Sequence, residues 1–235
     1  AMNIVLITTG QRTDLLSQSI ESLMSNSVYP LEHELVIVHD RFKDGDSPRW
    51  KATEIFNRIP AGASASRNIG ASSIPGYRRQ EHVMFIDDDV YFCPGWDTRL
   101  KDTLAALSGA VVSGHAHPFN HSIDRYVLVR PNHEAIPVES AGVLSTVHLS
   151  MSWSIWDDVG YFVEPGGPGG SEDVDWCSRA TKKGYGLAVT DPHCVIHCGL
   201  TSSGGQKIVG YDLMVKQNLR LIHDYELGGQ KIVQL

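Results

Sequence analysis

Three consecutive acids, Asp87-Asp88-Asp89, follow directly on the apolar run Val83-Met84-Phe85-Ile86. In parallel α/β sheets, ligands bind beyond the carboxyl ends of strands, which is where this triplet falls. Strand alternation puts Asp87 and Asp89 on one face and Asp88 on the other. Two carboxylates on one face repel unless a proton or a cation lies between them, and a hard divalent ion such as Mg²⁺ or Mn²⁺ takes oxygen ligands of this kind. The alternative is a solvated acidic turn, although such turns ordinarily carry Gly or Asn. A second acidic group, Glu172-Asp173 with Asp175, opens a helical pattern after a glycine-rich stretch. Acids in a first helical turn are favoured by the helix dipole, so this group has a structural explanation as well as a chemical one. Arg12, Lys43 and Arg67 are isolated cations near strand ends. They could neutralise a diphosphate or simply be solvated.

The run His193-Cys194-Val195-Ile196-His197-Cys198 offers four soft-metal ligands. On a strand the two histidines and the two cysteines point to opposite sides, so the four cannot converge on one tetrahedral ion. Neither Gly-x-Gly-x-x-Gly nor a Walker-type Gly-Lys-Ser/Thr loop is present, and there is no Gly-x-Ser-x-Gly elbow. The usual dinucleotide, P-loop and serine-hydrolase readings therefore fail.

The elements that must position these residues follow from hydrophobic periodicity. Asn3 to Thr9 reads as a buried strand, followed by a helix carrying Leu15, Leu16, Ile20, Leu23 and Met24 on its apolar face. Leu35 to Val38 is a second strand, ending in His39-Asp40. Ala61 to Ser73 is rich in small residues with Arg67-Asn68 in its middle, which suits a helix packed closely on a sheet. Val83 to Ile86 is a strand buried on both faces. Trp96, Leu100, Leu104 and Leu107 mark a helix, and Ala110 to Val112 a further strand. After the glycine-rich stretch from Val159 to Gly170, Ser171 is placed to cap a helix with Val174, Cys177 and Ala180 on one face, which Gly184 stops. Strands alternating with helices predict an α/β fold with a mostly parallel central sheet and helices on both faces. Strand directions are expected to be mixed in the second half. The segment Gly204-Gly205-Gln206-Lys207-Ile208-Val209 recurs at Gly228 to Val233, and two short copies do not make a solenoid.

The chain has 235 residues, 42% of them hydrophobic, enough for a substantial core. Twenty Lys and Arg against 27 Asp and Glu give a net charge of −7, the wrong sign for a protein held mainly by nucleic-acid phosphates. No apolar run approaches the length of a bilayer span, and the first residues lack the pattern of a secretory signal, so a cytoplasmic protein is expected. Four cysteines are too few for a disulfide scaffold.

The ordered set of motifs resembles family 2 type glycosyltransferases with the GT-A fold, and most closely the branch of rhamnosyltransferase-like enzymes. Ile4 to Arg12 is similar to the family's first strand and turn, with Gly10-Gln11-Arg12 in place of Tyr-Asn-Arg. Val36 to Asp40 resembles the second strand with its base-reading acid, and Ser66-Arg67-Asn68-Ile69-Gly70 the family's Ala-Arg-Asn-x-Gly. Phe85 to Asp89 resembles the Asp-x-Asp metal motif. Gly170 to Arg179, then Lys183-Gly184-Tyr185, then His197 resemble Gly-Glu-Asp-Val-Asp-x-Cys-x-Arg, Lys-Gly-Tyr and a strand ending in His.

That resemblance implies one GT-A domain over 1–235, with 3–98 binding the nucleotide sugar and 99–235 the acceptor. It implies a metal-dependent, inverting transfer from a UDP- or dTDP-linked sugar to a hydroxyl acceptor such as a glycan. Thr8, Thr9, Arg12, Asp40, Arg67, Asp87 and Asp88 would hold the nucleotide, with Asp40 reading a pyrimidine base. Asp87, Asp89 and His197 would hold Mn²⁺ or Mg²⁺. Asp173 would be the general base, with Trp156, Glu164 and Glu172 lining the acceptor and sugar pocket. The glycine- and hydroxyl-rich Leu200 to Gly210 segment is expected to order over the diphosphate, with Lys207 contacting phosphate. The other classes compatible with these residues are a sugar-phosphate nucleotidyltransferase and a non-catalytic nucleotide- or carbohydrate-binding module.

Overall fold

The structure is a computed structural model, and it describes residues 1–8, 13–41, 50–114, 127–129, 135–136, 144–164, 172–190 and 194–198. In chain order the elements are β1 (Met2–Thr8), α1 (Thr13–Ser25), β2 (Glu34–His39), β3 (Thr53–Phe56), α2 (Ala63–Ser72), β4 (His82–Asp87) and β5 (Val90–Phe92). They continue with α3 (Trp96–Ala106), β6 (Ala110–Ser113), β7 (Val127–Val129), β8 (Ala135–Ile136), β9 (His148–Ser152), α4 (Trp153–Val159), α5 (Glu172–Lys182), β10 (Gly186–Thr190) and β11 (Val195–His197).

The main sheet has the order β3-β2-β1-β4-β9-β6-β10-β7-β8. β3, β2, β1 and β4 are all parallel, β9 runs antiparallel between β4 and β6, and β6, β10 and β7 are parallel again. The expected parallel first half and mixed second half are both present. A separate two-stranded sheet pairs β11 antiparallel with β5.

Alternation along β1 and β4 sorts the core into two layers. Met2, Ile4 and Leu6 of β1, with Met84 and Ile86 of β4, pack beneath α1 and α3, against Leu16, Ile20, Leu23, Trp96 and Leu100. Val5, Val83 and Phe85 point the other way, into a layer with Ala71 of α2 and Trp156, Trp176, Cys177 and Ala180 of α4 and α5. Each fully buried aliphatic or aromatic side chain contributes roughly 1.5–3 kcal/mol, so strands apolar on both faces are the most stabilising part of the chain. The small residues of α2 let it lie close to β1 and β2. A Cβ at Gly70 would come within 2.4 Å of Val5 Cγ1, so any side chain there pushes the helix off the sheet.

Two expected helix faces need correction. Met24 is largely exposed, and so is Val174 at 51%; the buried face of α5 is Trp176, Cys177 and Ala180. The α5 helix ends as its sequence requires. Gly184 adopts φ +90°, with Tyr185 N–H bonded to Ala180 carbonyl and Gly184 N–H to Thr181 carbonyl, the paired bonds of a Schellman motif.

Candidate functional site

β4 stops at Asp87, and alternation carries on for one residue beyond it. Asp87 continues the Val83 and Phe85 face toward α2, while Asp88 continues the Met84 and Ile86 face toward α1. Asp88 is fully buried and accepts a 2.6 Å hydrogen bond from the Thr8 hydroxyl. Its carbonyl lies 2.8 Å from the Ser19 hydroxyl. The side chains of Thr8 and Asp88, both expected at the nucleotide, bond each other and tie the ends of β1 and β4 together.

Asp89 lies in the turn after the strand, and the β11–β5 ladder brings a distant residue to it. His197 pairs with Val90, and the Cys198 N–H bonds the Asp89 carbonyl at 2.7 Å. This register sets His197 Nε2 3.3 Å from Asp89 Oδ1. Asp87 is 24% exposed, and its Oδ1 takes a 2.6 Å bond from Arg67 Nη2. Burial raises the Asp87 carboxyl above its ordinary value and Asp89 adds to this, against the opposing pull of the Arg67 guanidinium and of His197. Two carboxylates and an imidazole within one electrostatic neighbourhood are a donor set for a hard or borderline divalent ion, and the facing pair Asp89 and His197 fits one. Among the described residues no three such side chains are already drawn round one point.

Arg67 is only 1% exposed. Besides Asp87 it contacts Glu172 Oε1 through Nη1 at 3.3 Å. Its guanidinium is covered by Phe162, 5.7 Å from the ring centre, and Nη2 lies 3.4 Å from the Thr146 carbonyl. Both terminal nitrogens of Arg67, expected at the nucleotide, are engaged by acids of the protein. Glu172, expected to line the pocket, is held by Arg67 and by the Thr146 hydroxyl at 3.4 Å. Asp173, the next residue, is half-buried, and among the described residues its carboxylate takes one hydrogen bond, from the Val174 N–H at 2.9 Å. Burial and the neighbouring Glu172 raise its pKa above the usual aspartate value.

Asp40 stands where β2 meets α2. Its Oδ1 accepts from Ala61 N–H at 2.8 Å, Gly62 N–H at 3.1 Å and the Ser66 hydroxyl at 2.8 Å, and Oδ2 accepts from Gly62 N–H at 3.2 Å. This carboxylate, expected to read the base, anchors the entrance of α2, where unpaired N–H groups favour an acid. Trp156, expected in the acceptor and sugar pocket, is 3% exposed. It is buried among Phe85, Phe162 and Trp176, with ring centres 4.7, 5.4 and 6.2 Å away. The surface aromatic of this region is Tyr161, 57% exposed. Glu164 does face outward, accepting a 2.6 Å bond from Asn68 Nδ2. With Ile69, Ser72, Ser73 and Tyr161 these two line an open groove of about 620 Å³.

Sequence reading gave Asn68, Trp176 and Arg179 no role, yet they fix the chain between α4 and α5. Asn68 exchanges two hydrogen bonds with the Phe162 backbone at 2.9 and 3.0 Å. Trp176 Nε1 donates to Gly160 carbonyl at 2.8 Å. Arg179 donates to the Val159 and Tyr161 carbonyls at 2.6 and 2.7 Å while pairing with Asp175. All three lie in the stretches that resemble family motifs, and Arg179 also falls four residues after Asp175. Thr9, Arg12, Lys43, the Pro165 to Gly169 stretch, Ser171, His193, Lys207, the Leu200 to Gly210 segment and both copies of the repeat lie outside the described residues.

No protein-family model matches this sequence, and no curated protein matches it either. Solved structures do match. A mannosyltransferase of Pyrobaculum calidifontis, PcManGT, solved with GDP-Man and Mn²⁺, superposes with a TM-score of 0.62 at 14% identity, covering 100% of this chain and 76% of that one. The chain has the GT-A fold. S. aureus TarS, residues 1–349, gives 0.61 at 15% identity over 100% of this chain and 75% of its own. GalNAc-T7, solved with UDP, GalNAc and Mn²⁺, gives 0.60 at 11% identity, covering 84% of this chain and 43% of that one. At such identities the likeness is one of architecture. Among the described residues no helix is long and apolar enough to cross a membrane.

Proposed function

We propose that the chain is a metal-dependent, inverting glycosyltransferase of the family 2 type, moving a sugar from a nucleoside diphosphate to a hydroxyl acceptor. The observation that carries this reading is the Arg67 bridge. One guanidinium touches both Asp87, at the end of β4, and Glu172, beside Asp173, so the two acidic motifs border one cleft at the carboxyl end of the sheet. The resemblance of GT-A neighbours solved with UDP, GDP-Man and Mn²⁺ supports the donor class and the ion.

Asp89 and His197, with Asp87, are the residues that would hold Mn²⁺ or Mg²⁺. A divalent ion bound there supplies Lewis-acid stabilisation of the charge on a leaving diphosphate. Asp173 acts as the general base: the acceptor oxygen forms its bond to the anomeric carbon as the bond to the diphosphate oxygen breaks, and the hydroxyl proton passes to the Asp173 carboxylate. Attack from the face opposite the leaving group inverts the anomeric centre. Glu164 and the groove beside it form the acceptor side, and 1–235 acts as a single domain. The pyrimidine preference rests on the family resemblance and on Asp40 at the end of β2, and UDP-sugars are the first donors to try. All four cysteines are free and buried, which suits the reducing cytoplasm in which the reading places the enzyme.

Incubation with individual nucleotide sugars and Mn²⁺ tests the proposal. Slow release of free nucleoside diphosphate from one donor is the expected result. Release of pyrophosphate from a sugar phosphate and a nucleoside triphosphate would point to a nucleotidyltransferase, and neither product to a binding module.

A further inference from the structure

Arg67 combines three properties that a phosphate-binding cation does not have. It is almost completely shielded from solvent, both of its terminal nitrogens face carboxylates, and its Nε is buried without a partner among the described residues. One positive charge between two negative ones leaves the cluster net negative, which repels a diphosphate. The two acids also come from separate parts of the chain, residue 87 at a strand end and residue 172 at a helix start.

A guanidinium presents its N–H donors in a rigid planar fork, so it fixes the positions of two partners relative to each other, which the point charge of a lysine cannot do. We propose that Arg67 is a positioning residue that sets the separation of the two sides of the cleft, locking Asp87 and Glu172 so that the Asp89–His197 pair faces Asp173. This rests on the glycosyltransferase reading for its kinetic consequence. Phe162 and the Thr146 carbonyl enclose the guanidinium, so it has no route to the cleft except through the acids it holds.

The test uses Arg67→Lys and the double variant Arg67→Met with Glu172→Gln in the full chain. In Arg67→Lys, UDP affinity in the presence of chelator should stay within about twofold of wild type. Mn²⁺ affinity measured by calorimetry without nucleotide should fall about tenfold, and kcat should fall about 10²-fold, as for an ångström-scale misplacement, with donor KM changed less than about threefold. A loss of metal-free UDP affinity greater than tenfold with kcat preserved would make Arg67 a nucleotide contact and overturn the proposal. Wild-type kcat and Mn²⁺ affinity in Arg67→Lys would overturn it equally. The double variant removes one of the two acids that lose their partner together with the cation, so it should unfold at a higher temperature than Arg67→Met alone while its turnover stays low. Additive effects of the two substitutions on unfolding temperature would rule out the bridge. Thermal coupling and Mn²⁺ binding need no turnover, so they remain readable if wild type transfers no sugar, an outcome that counts against the proposed function alone.

Discussion

The two sides of the cleft are built by different means. Asp87 and Asp89 stand at a strand end, and His197 is delivered by a β-ladder whose register is fixed by backbone hydrogen bonds. Asp173 stands in the first turn of α5, beyond a connection held by side chains: Asn68, Trp176 and Arg179 grip the backbone at Val159 to Phe162. Every residue can supply ladder bonds, whereas a clamp fails with the loss of one side chain. The proposed metal side should therefore survive most single substitutions structurally and fail only chemically. The base side can fail in both ways.

The largest expected effect is chemical, on the base side. Asp173→Asn keeps shape but cannot take a proton, so turnover should fall about 10²- to 10⁴-fold while donor binding stays near wild type. Because burial raises the Asp173 pKa, the acid limb of kcat should lie above the usual aspartate value, with activity lost as pH falls through it. Retained turnover, or a product with the anomeric configuration of the donor, would remove Asp173 as the base. On the metal side, Asp89→Asn should weaken Mn²⁺ binding about 10- to 100-fold with an unchanged circular dichroism spectrum. Unaltered titration of Mn²⁺ would place the ion elsewhere.

The comparison itself is broken or sharpened by Arg179→Met. Losing its bonds to two carbonyls should lower stability by about 2 kcal/mol and speed hydrogen exchange around residues 159–164, leaving the β5–β11 ladder protected. Equal loosening of both would show that they are one mechanical unit. A pH effect of similar size belongs to the sheet. His148 on β9 is buried, its Nδ1 accepts from Gly114 N–H, and burial pushes its pKa down to about 3. The unfolded chain protonates this histidine near pH 6.5, so its contribution is complete above that pH and is lost as pH falls toward 3, at up to about 1.4 kcal/mol per unit. Denaturant midpoints of His148→Gln should fall less steeply below pH 6.5 than those of wild type; parallel slopes would contradict the buried neutral ring. The smallest effect is expected at Asp40, where Asp40→Ala should destabilise α2 by about 1 kcal/mol. UDP affinity of the same variant decides its base-reading role: a marked loss would support it, and unchanged affinity would leave only the anchor.

Most of the fold was legible because β1, β2 and β4 are continuous apolar runs, and the same alternation that sorts Val83 to Ile86 also placed Asp87 and Asp88 on opposite faces. What could not be read were partners distant in the chain. Asp40 gives no sign in the sequence that the backbone of Ala61 and Gly62 closes on it, and Arg67 none that Glu172 reaches it from 105 residues away. Trp156 illustrates a different limit, since an indole suits a sugar platform and an aromatic core equally well by composition. Only the packing of Phe85, Phe162 and Trp176 around it decides. At Val174 the helical period was right but its phase was set by the larger Trp176, which took the buried face.

The placement of β9 between β4 and β6 bears on how the molecule comes into being. A chain emerging from the ribosome can complete β1, β2, β3 and β4 early, but the outer edge of β4 stays unpaired until residues 148–152 have been made. At roughly 5–20 residues per second, that interval is on the order of several seconds, during which an apolar strand edge is open to other chains. Overexpression should therefore favour aggregation of nascent chains, and slower synthesis or cooler growth should not relieve it as fully as a chaperone that covers the edge. Asp89 waits longer still, because its histidine arrives only with residue 197, so the proposed metal-binding pair is completed after nearly every other contact in the sheet has formed.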